Sequence, residues 1–228
     1  MDKGLVSVSD ELVEVLGRKI ASGECPSGTT FTLAELSDEF RLSRTVVREA
    51  MRVLQSKGMM VPKRRVGLVV QPSSQWHPFD ARVMSWLLDG PYRHDELKTL
   101  AEVCSGTGPV AARLAAARRE DSSAALMQAY AQRMTHLYDH QRVPEIKETE
   151  VALQCEIFRA SGNKMFGAFA DVVGYLVRAA YGRERSNELL DLGDRLQVYR
   201  ELADAIEQRD SDRAEELAEK IFVRLTRE

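Results

Sequence analysis

Residues 32–70 read TLAELSDEFRLSRTVVREAMRVLQSKGMMVPKRRVGLVV, and this stretch decides the fold of the first third of the chain. Thr32 is followed three residues later by Glu35. That pairing is a capping box: the hydroxyl accepts from the Glu35 backbone N–H and the carboxylate reaches back to Thr32. Leu33, Leu36 and Phe40 give the helix its apolar face. Ser43 caps a second helix, whose apolar stripe is Val46, Val47, Ala50, Met51 and Leu54, and Gly58 closes it. Met59–Val61 and Val66–Val70 then read as two short strands around PKRR, a basic hairpin or wing.

Charge is concentrated in the same stretch. From Arg41 to Arg65 the cations are Arg41, Arg44, Arg48, Arg52, Lys57, Lys63, Arg64 and Arg65, with Glu49 the lone acid. The chain as a whole carries −3. Residues 1–71 hold 11 Lys and Arg against 9 Asp and Glu, and the remainder holds 21 against 26. Positive charge is therefore local, and a DNA backbone is the partner it suits.

Working outward, Ser9 opens an earlier helical pattern with Leu12, Val13, Leu16 and Ile20 on one face, ended by Ser22-Gly23. GECPSGTTF is a turn-rich connection. After the wing, QPSSQWHPF reads as a linker. Helical patterns then cover roughly 80–89, 95–118, 121–140, 146–160, 164–182, 187–208 and 212–227, with breaks such as Gly90-Pro91 and Ser161-Gly162-Asn163. The expected fold class is mainly α: a winged helix-turn-helix with a small β-hairpin wing, then an all-α antiparallel bundle. The expected division is a DNA-binding domain at 1–71, a linker and start of linker helix at 72–85, and a helical effector-binding and dimerisation domain at 86–228.

Length and composition, 228 residues with 44% hydrophobic and 29% charged, suit a soluble helical protein of one or two domains. No apolar run reaches the roughly 20 residues of a membrane span. The N-terminus lacks the pattern of a signal peptide. Cys25, Cys104 and Cys155 are widely spaced without CxxC, so a reduced cytoplasmic setting is expected. GxSxG, HExxH, GxGxxG and GxxxxGK[ST] are all missing, and no enzyme is expected. His136 and His140 are four apart on one helix, but two histidines without a third ligand are a weak metal signal.

In a helix-turn-helix the second helix puts its N-terminal residues into the major groove. Arg44 and Arg48, one turn apart, can each grip guanine or a phosphate bidentately. Ser43 and Thr45 stand at the helix start, where hydroxyls and free N–H groups suit phosphate oxygens. Lys63, Arg64 and Arg65 would sit at the wing tip near the minor groove, with Gly67 turning the backbone into the second strand. Arg41 completes the candidate DNA contacts.

The run SGECPSGTTFTLAELSDEFRLSRTVVREAMRVLQSKGMM resembles the winged-helix domain of GntR-family bacterial transcription regulators. Ser43-Arg44-Thr45 followed by Val47-Arg48-Glu49-Ala50, Leu54 and Gly58 carries that resemblance. Two positions depart from the family pattern: Arg41 stands where glycine is usual, and Ala34 where an arginine often contacts DNA. The C-terminal helices resemble the FCD ligand-binding domain of the FadR branch, anchored on Ile157-Phe158-Arg159-Ala160-Ser161-Gly162-Asn163 and on Leu202-Ala203-Asp204-Ala205-Ile206. Gln75-Trp76-His77-Pro78-Phe79-Asp80 through Trp86-Leu87-Leu88 is similar to sugar-acid-responsive members such as galactonate regulators.

This resemblance implies a homodimeric repressor that binds a pseudo-palindromic operator and responds to a small metabolite, a sugar acid or other carboxylate. Many FCD domains hold a divalent metal, and carried over position by position their ligands fall on Glu150, Gln154, Tyr199 and Ile221. None is histidine, so no metal and no cofactor is expected. The family's pocket arginine and glutamate fall on Cys104 and Gly108. Glu150, Gln154, Asn163 and Tyr199 are the candidate effector contacts, hydrogen-bonding a hydroxylated ligand directly. Alternatives are a regulator gated by a protein partner or by nothing, and a helical enzyme with a basic RNA- or protein-binding domain.

Overall fold

The structure is a computed structural model that describes residues 7–181 and 188–226. The chain forms two compact units, one within residues 1–94 and one within 95–228.

The first unit begins with α1 (Val8–Ala21), capped by Ser7, whose hydroxyl accepts from the Asp10 N–H. The cap lies two residues before the expected Ser9. Leu12, Val13, Leu16 and Ile20 are buried as the helical spacing predicts. The helices α2 (Leu33–Phe40) and α3 (Arg44–Ser56) follow, and the Thr32–Glu35 capping box is present in both directions. Val47, Ala50, Met51 and Leu54 of α3 are at most 1% exposed, so one face of α3 is core and the opposite face is free to read a partner.

The wing is not a simple hairpin. Strands β1 (Thr30–Phe31), β2 (Met60–Lys63) and β3 (Gly67–Val70) form an antiparallel sheet in the order β1-β3-β2, pairing Phe31 with Leu68 and Lys63 with Gly67. A two-stranded hairpin is marginal alone, and β1 covers the free edge of β3. Gly67 has φ 113°, and a Cβ there would lie 2.4 Å from the Phe31 carbonyl oxygen. This glycine is thus required by the third strand, which the sequence patterns hid inside a turn-rich segment. Lys63 closes β2, and Arg64-Arg65 form the tip.

Helix α4 (Ala81–Asp89) packs within the first unit, well past the expected boundary at residue 71. Trp86 is 2% exposed and lies over Gly17, where a Cβ would come within 2.5 Å of the indole. Its Nε1 donates to Glu14 at 2.7 Å, and Arg82 pairs with Asp10 and Glu14. Asp80 caps the helix by accepting from the Arg82 and Val83 N–H groups, and it also receives Lys57 Nζ at 2.7 Å. Burial works to raise the Asp80 pKa, but the Lys57 ammonium and the helix N–H groups outweigh it and hold the carboxyl below its usual range.

Among the described residues the regular elements of the second unit are all helices: α5 (Arg93–Arg118, whose first residues belong to the first unit), α6 (Asp121–Asp139), α7 (Val143–Ala160), α8 (Lys164–Ala180), α9 (Glu188–Glu207) and α10 (Ser211–Thr226). These agree with the expected helices to within a few residues, and the expected ends at 182, 187 and 227 lie outside the described residues. The largest difference is α7, which begins three residues early because Pro144 falls in its first turn, where a missing N–H costs nothing. Ala112, Ala115 and Ala116 of α5 are fully buried against a core built from Met127, Ile146, Leu153, Leu202, Ile206 and Leu217. Small side chains on α5 let its neighbours approach closely.

Candidate functional site

Two groups of residues carry chemistry, one in each unit. In the first, the turn between α2 and α3 sets the aim of α3. Arg41 ends α2 in the left-handed conformation (φ 53°, ψ 42°), its N–H bonded to the Ser37 carbonyl. Glycine is the usual residue there because the Cβ of any other is crowded, at a cost of about 1–2 kcal/mol. Ser43 then caps α3, its hydroxyl accepting from the Val46 N–H.

Ser43, Arg44, Thr45 and Arg48 are all exposed at the N-terminal half of α3. Arg41, Arg44, Arg48, Arg52, Lys63, Arg64 and Arg65 form no salt bridge among the described residues, although the unit contains acids that pair with Arg18, Lys19, Lys57 and Arg82. Arg65, at the wing tip, has φ 64° and is exposed. The arrangement is a row of solvated guanidinium groups one helical turn apart, beside a helix N-terminus, with a second basic point on the wing. Such groups bind phosphate oxygens and guanine edges without first breaking an internal ion pair.

In the second unit, Glu150 and Gln154 of α7 meet Tyr199 of α9, as the sequence placed them. Glu150 is fully buried, Tyr199 is fully buried and Gln154 is 1% exposed. Tyr199 donates to Glu150 Oε1 at 2.9 Å and accepts from Gln154 Nε2 at 2.9 Å. Two further groups join them that sequence reasoning missed. Tyr181, at the C-cap of α8, donates to Glu150 Oε2, and Arg195 of α9 places a guanidinium nitrogen 3.2 Å from the same oxygen. Arg195 also lies over the Tyr181 ring, 4.7 Å from its centroid. A usable signal existed: Arg195 and Tyr199 are four apart, as are Glu150 and Gln154, so each helix presents a polar pair on one face.

Burial, followed by the neighbouring Glu150 carboxylate, pushes both phenols up, so Tyr181 and Tyr199 stay protonated and donate. Burial disfavours the Arg195 charge, but Glu150 together with the Tyr181 and Tyr199 oxygens more than compensates and raises its pKa. Asn163 does not join this cluster. It caps α8, accepting from the Met165 N–H at 2.9 Å, at the opposite end from Tyr181 along a helix of about 25 Å.

The residues do not fit the divalent metal that the domain type implies. One carboxylate, an amide and a phenol face each other, and the carboxylate is already satisfied by a guanidinium and two hydroxyls. Ile221, the fourth carried-over position, is buried in the apolar core. Among the described residues no group of three His, Cys, Asp or Glu could hold a metal. His136 and His140 lie exposed with ring centroids 4.4 Å apart, and His140 Nδ1 meets the His136 carbonyl at 2.8 Å. Cys104 is fully buried, its thiol pushed up to about 12 by burial. A Cβ at Gly108 would fall 2.0 Å from the Phe222 ring. Neither position can supply the charged pocket group the family places there.

A capped helix-turn-helix with an unpaired basic face and wing, joined in one chain to an all-helical sensing unit, defines the class of DNA-binding transcription regulators. The chain belongs to the gntR family of bacterial regulatory proteins, whose model matches residues 8–70, and it carries an FCD domain matched over residues 100–224. It is 28% identical over 220 residues to the galactonate operon transcriptional repressor of Escherichia coli, spanning 96% of this chain and 95% of that protein. The HTH-type transcriptional regulator YieP of the same organism is 29% identical over 209 residues, 91% of this chain and 89% of that one. Among solved structures, Lar of Listeria monocytogenes shares the fold, with a TM-score of 0.63 at 15% identity over 98% of this chain and 97% of that chain. Among the described residues no helix is long and apolar enough to cross a membrane.

Proposed function

We propose that this regulator is a cytoplasmic repressor without enzymatic activity that binds a pseudo-palindromic operator as a homodimer and responds to a small metabolite held in its C-terminal unit. The division of labour follows the sequence: DNA contacts within 1–71, a linker and linker helix from 72, and effector binding and dimerisation in the helices beyond. Arg44 and Arg48 read base edges or phosphates in the major groove, while Ser43, Thr45 and Arg41 position α3 on the backbone. Lys63, Arg64 and Arg65 add a contact through the wing, and Gly67 keeps the wing's shape. Glu150, Gln154 and Tyr199 form the polar floor of the effector site. A metabolite with different affinities for two arrangements of the dimer shifts operator affinity by that difference and no more.

The observation that carries this reading is the row of exposed arginines without ionic partners, immediately after a doubly capped turn. A basic face that served only solubility would be interleaved with acids, as the face of α10 is with Arg213, Glu216 and Lys220. The test is binding to a random duplex pool, with selection of the preferred sequence and a salt series. The expected outcome is a palindromic selected site and an affinity falling steeply with salt, with a log–log slope of about −0.9 for each phosphate neutralised. Equal affinity for selected and random duplexes would refute operator recognition.

A further inference from the structure

One cation of the basic stretch is turned away from solvent. Lys57 stands at the C-cap of α3 with its side chain 10% exposed, and its Nζ donates to both Asp80 oxygens, at 2.8 and 2.7 Å. Arg44, Arg48 and Arg52 of the same helix are exposed and have no ionic partner among the described residues. The backbone joins the same two segments. The His77 N–H donates to the Lys57 carbonyl at 2.9 Å, and a Cβ at Gly58 (φ 74°) would lie 2.3 Å from the Gln75 carbonyl oxygen. Residues 75–80, which the sequence reads as linker, are therefore laid against the carboxyl end of α3.

That strap is itself anchored. Trp76 Nε1 donates to the Gln71 carbonyl at 2.9 Å, and the Trp76 side chain packs against the core of the first unit. Asp80 accepts from the Arg82 and Val83 N–H groups at 3.0 and 3.1 Å while it holds Lys57. One carboxylate thus closes the start of α4 and the end of α3 together. Apolar packing through Val47, Ala50, Met51 and Leu54 presses α3 onto the unit, but such contact is non-directional and sets roll and axial position weakly. A charge-assisted hydrogen bond at one end has direction. Arg48 lies nine residues from Lys57, about 13 Å along the axis, so a swing of about 10° at the carboxyl end moves it by about 2 Å. Recognition geometry tolerates about 0.5 Å.

We propose that Lys57 and Asp80 are positioning residues for operator recognition: their bond ties the carboxyl end of α3 to the start of α4 and so aims Arg44 and Arg48, while Lys57 itself touches no DNA. This rests on the reading of the operator by α3 given above. Two other roles for the pair make different forecasts. A bond that only stabilises the fold leaves sequence preference alone. A lysine held back from a phosphate by Asp80 strengthens DNA binding once that carboxylate is neutralised.

The test compares the full chain with Lys57→Met, Asp80→Asn, the double variant and Arg48→Ala. Each is titrated with the selected operator and with random duplex across a salt series. Asparagine still caps α4, so Asp80→Asn removes the charge and keeps the helix start. Each single variant of the pair should lower the ratio of operator to random affinity by about fivefold or more, within the range of one lost base contact. The double variant should be no worse than Lys57→Met, because both remove the same bond. Random-duplex affinity and its salt slope should match the parent chain. If Lys57→Met does not fold, as judged by circular dichroism, Asp80→Asn decides alone.

An unchanged ratio with a lowered melting temperature overturns the proposal and leaves the pair a stabilising bond only. Asp80→Asn that binds both duplexes more tightly, with a slope steeper by about 0.9, also overturns it and makes Lys57 a phosphate contact. A shallower slope in Lys57→Met does the same. In either case a ratio that falls in Arg48→Ala leaves the reading by α3 standing. If Arg48→Ala keeps the ratio of the parent chain, that reading fails and the proposal falls with it.

Discussion

Arg44 and Arg48 on α3 and Arg195 on α9 are the same side chain in opposite surroundings. The first two stand exposed with no ionic partner among the described residues, whereas Arg195 faces a fully buried carboxylate and stacks on a phenol ring. An exposed guanidinium costs the folded protein little and is free to exchange counterions for phosphates. Arg195, 19% exposed and facing the buried Glu150, is neutralised by that carboxylate and is not free to capture an anion. Charge is thus offered outward in the reading unit and closed on itself in the sensing unit. A net charge of −3 conceals both.

The most severe way to break that contrast is Glu150→Ala. Removing one partner of a buried pair typically costs about 3–5 kcal/mol, so urea unfolding of the full chain should show the C-terminal transition lowered by that order. A loss below about 1 kcal/mol would mean that Arg195 is not held as the geometry indicates. The alkaline limit sharpens the same point. The Tyr181 and Tyr199 phenols are raised above the ordinary value of 10.0. Their contribution to stability is therefore complete below pH 10 and is lost as pH rises through their folded values. Melting temperature should fall as pH climbs above 10, less steeply in Tyr181→Phe, and equal slopes would contradict the coupling. The smallest effect belongs to the reading unit: Arg41→Gly should stabilise it by about 1 kcal/mol in urea unfolding by relieving the left-handed residue, at the cost of one candidate phosphate contact.

The reading unit was largely legible because its signals are local. The Thr32–Glu35 capping box, the Ser43 cap, a glycine stop and a 3.6-residue apolar stripe each lie within a few residues, and the structure has them where the sequence put them. What escaped was non-local: Thr30–Phe31 joins the sheet only because β3 offers an edge and Gly67 leaves room, and Trp86 belongs with α1 because Gly17 admits it. In the sensing unit, Glu150, Gln154 and Tyr199 were found through a family pattern. Arg195 was not, since no carried-over family position falls on it and its pairing with Glu150 spans 45 residues. Asn163 had been placed there by its motif, but its amide is occupied in capping α8.

The central claim is that the unpaired arginines of α3 select the operator. Its most direct test is Arg48→Ala, measured as the ratio of affinities for the selected operator and for random duplex at one salt concentration, with circular dichroism and dimer mass as controls. The account predicts that the ratio falls by about tenfold or more, the worth of one good bidentate base contact, while fold and assembly stay as in the parent chain. An unchanged ratio in a correctly folded variant would contradict it and move the reading surface elsewhere.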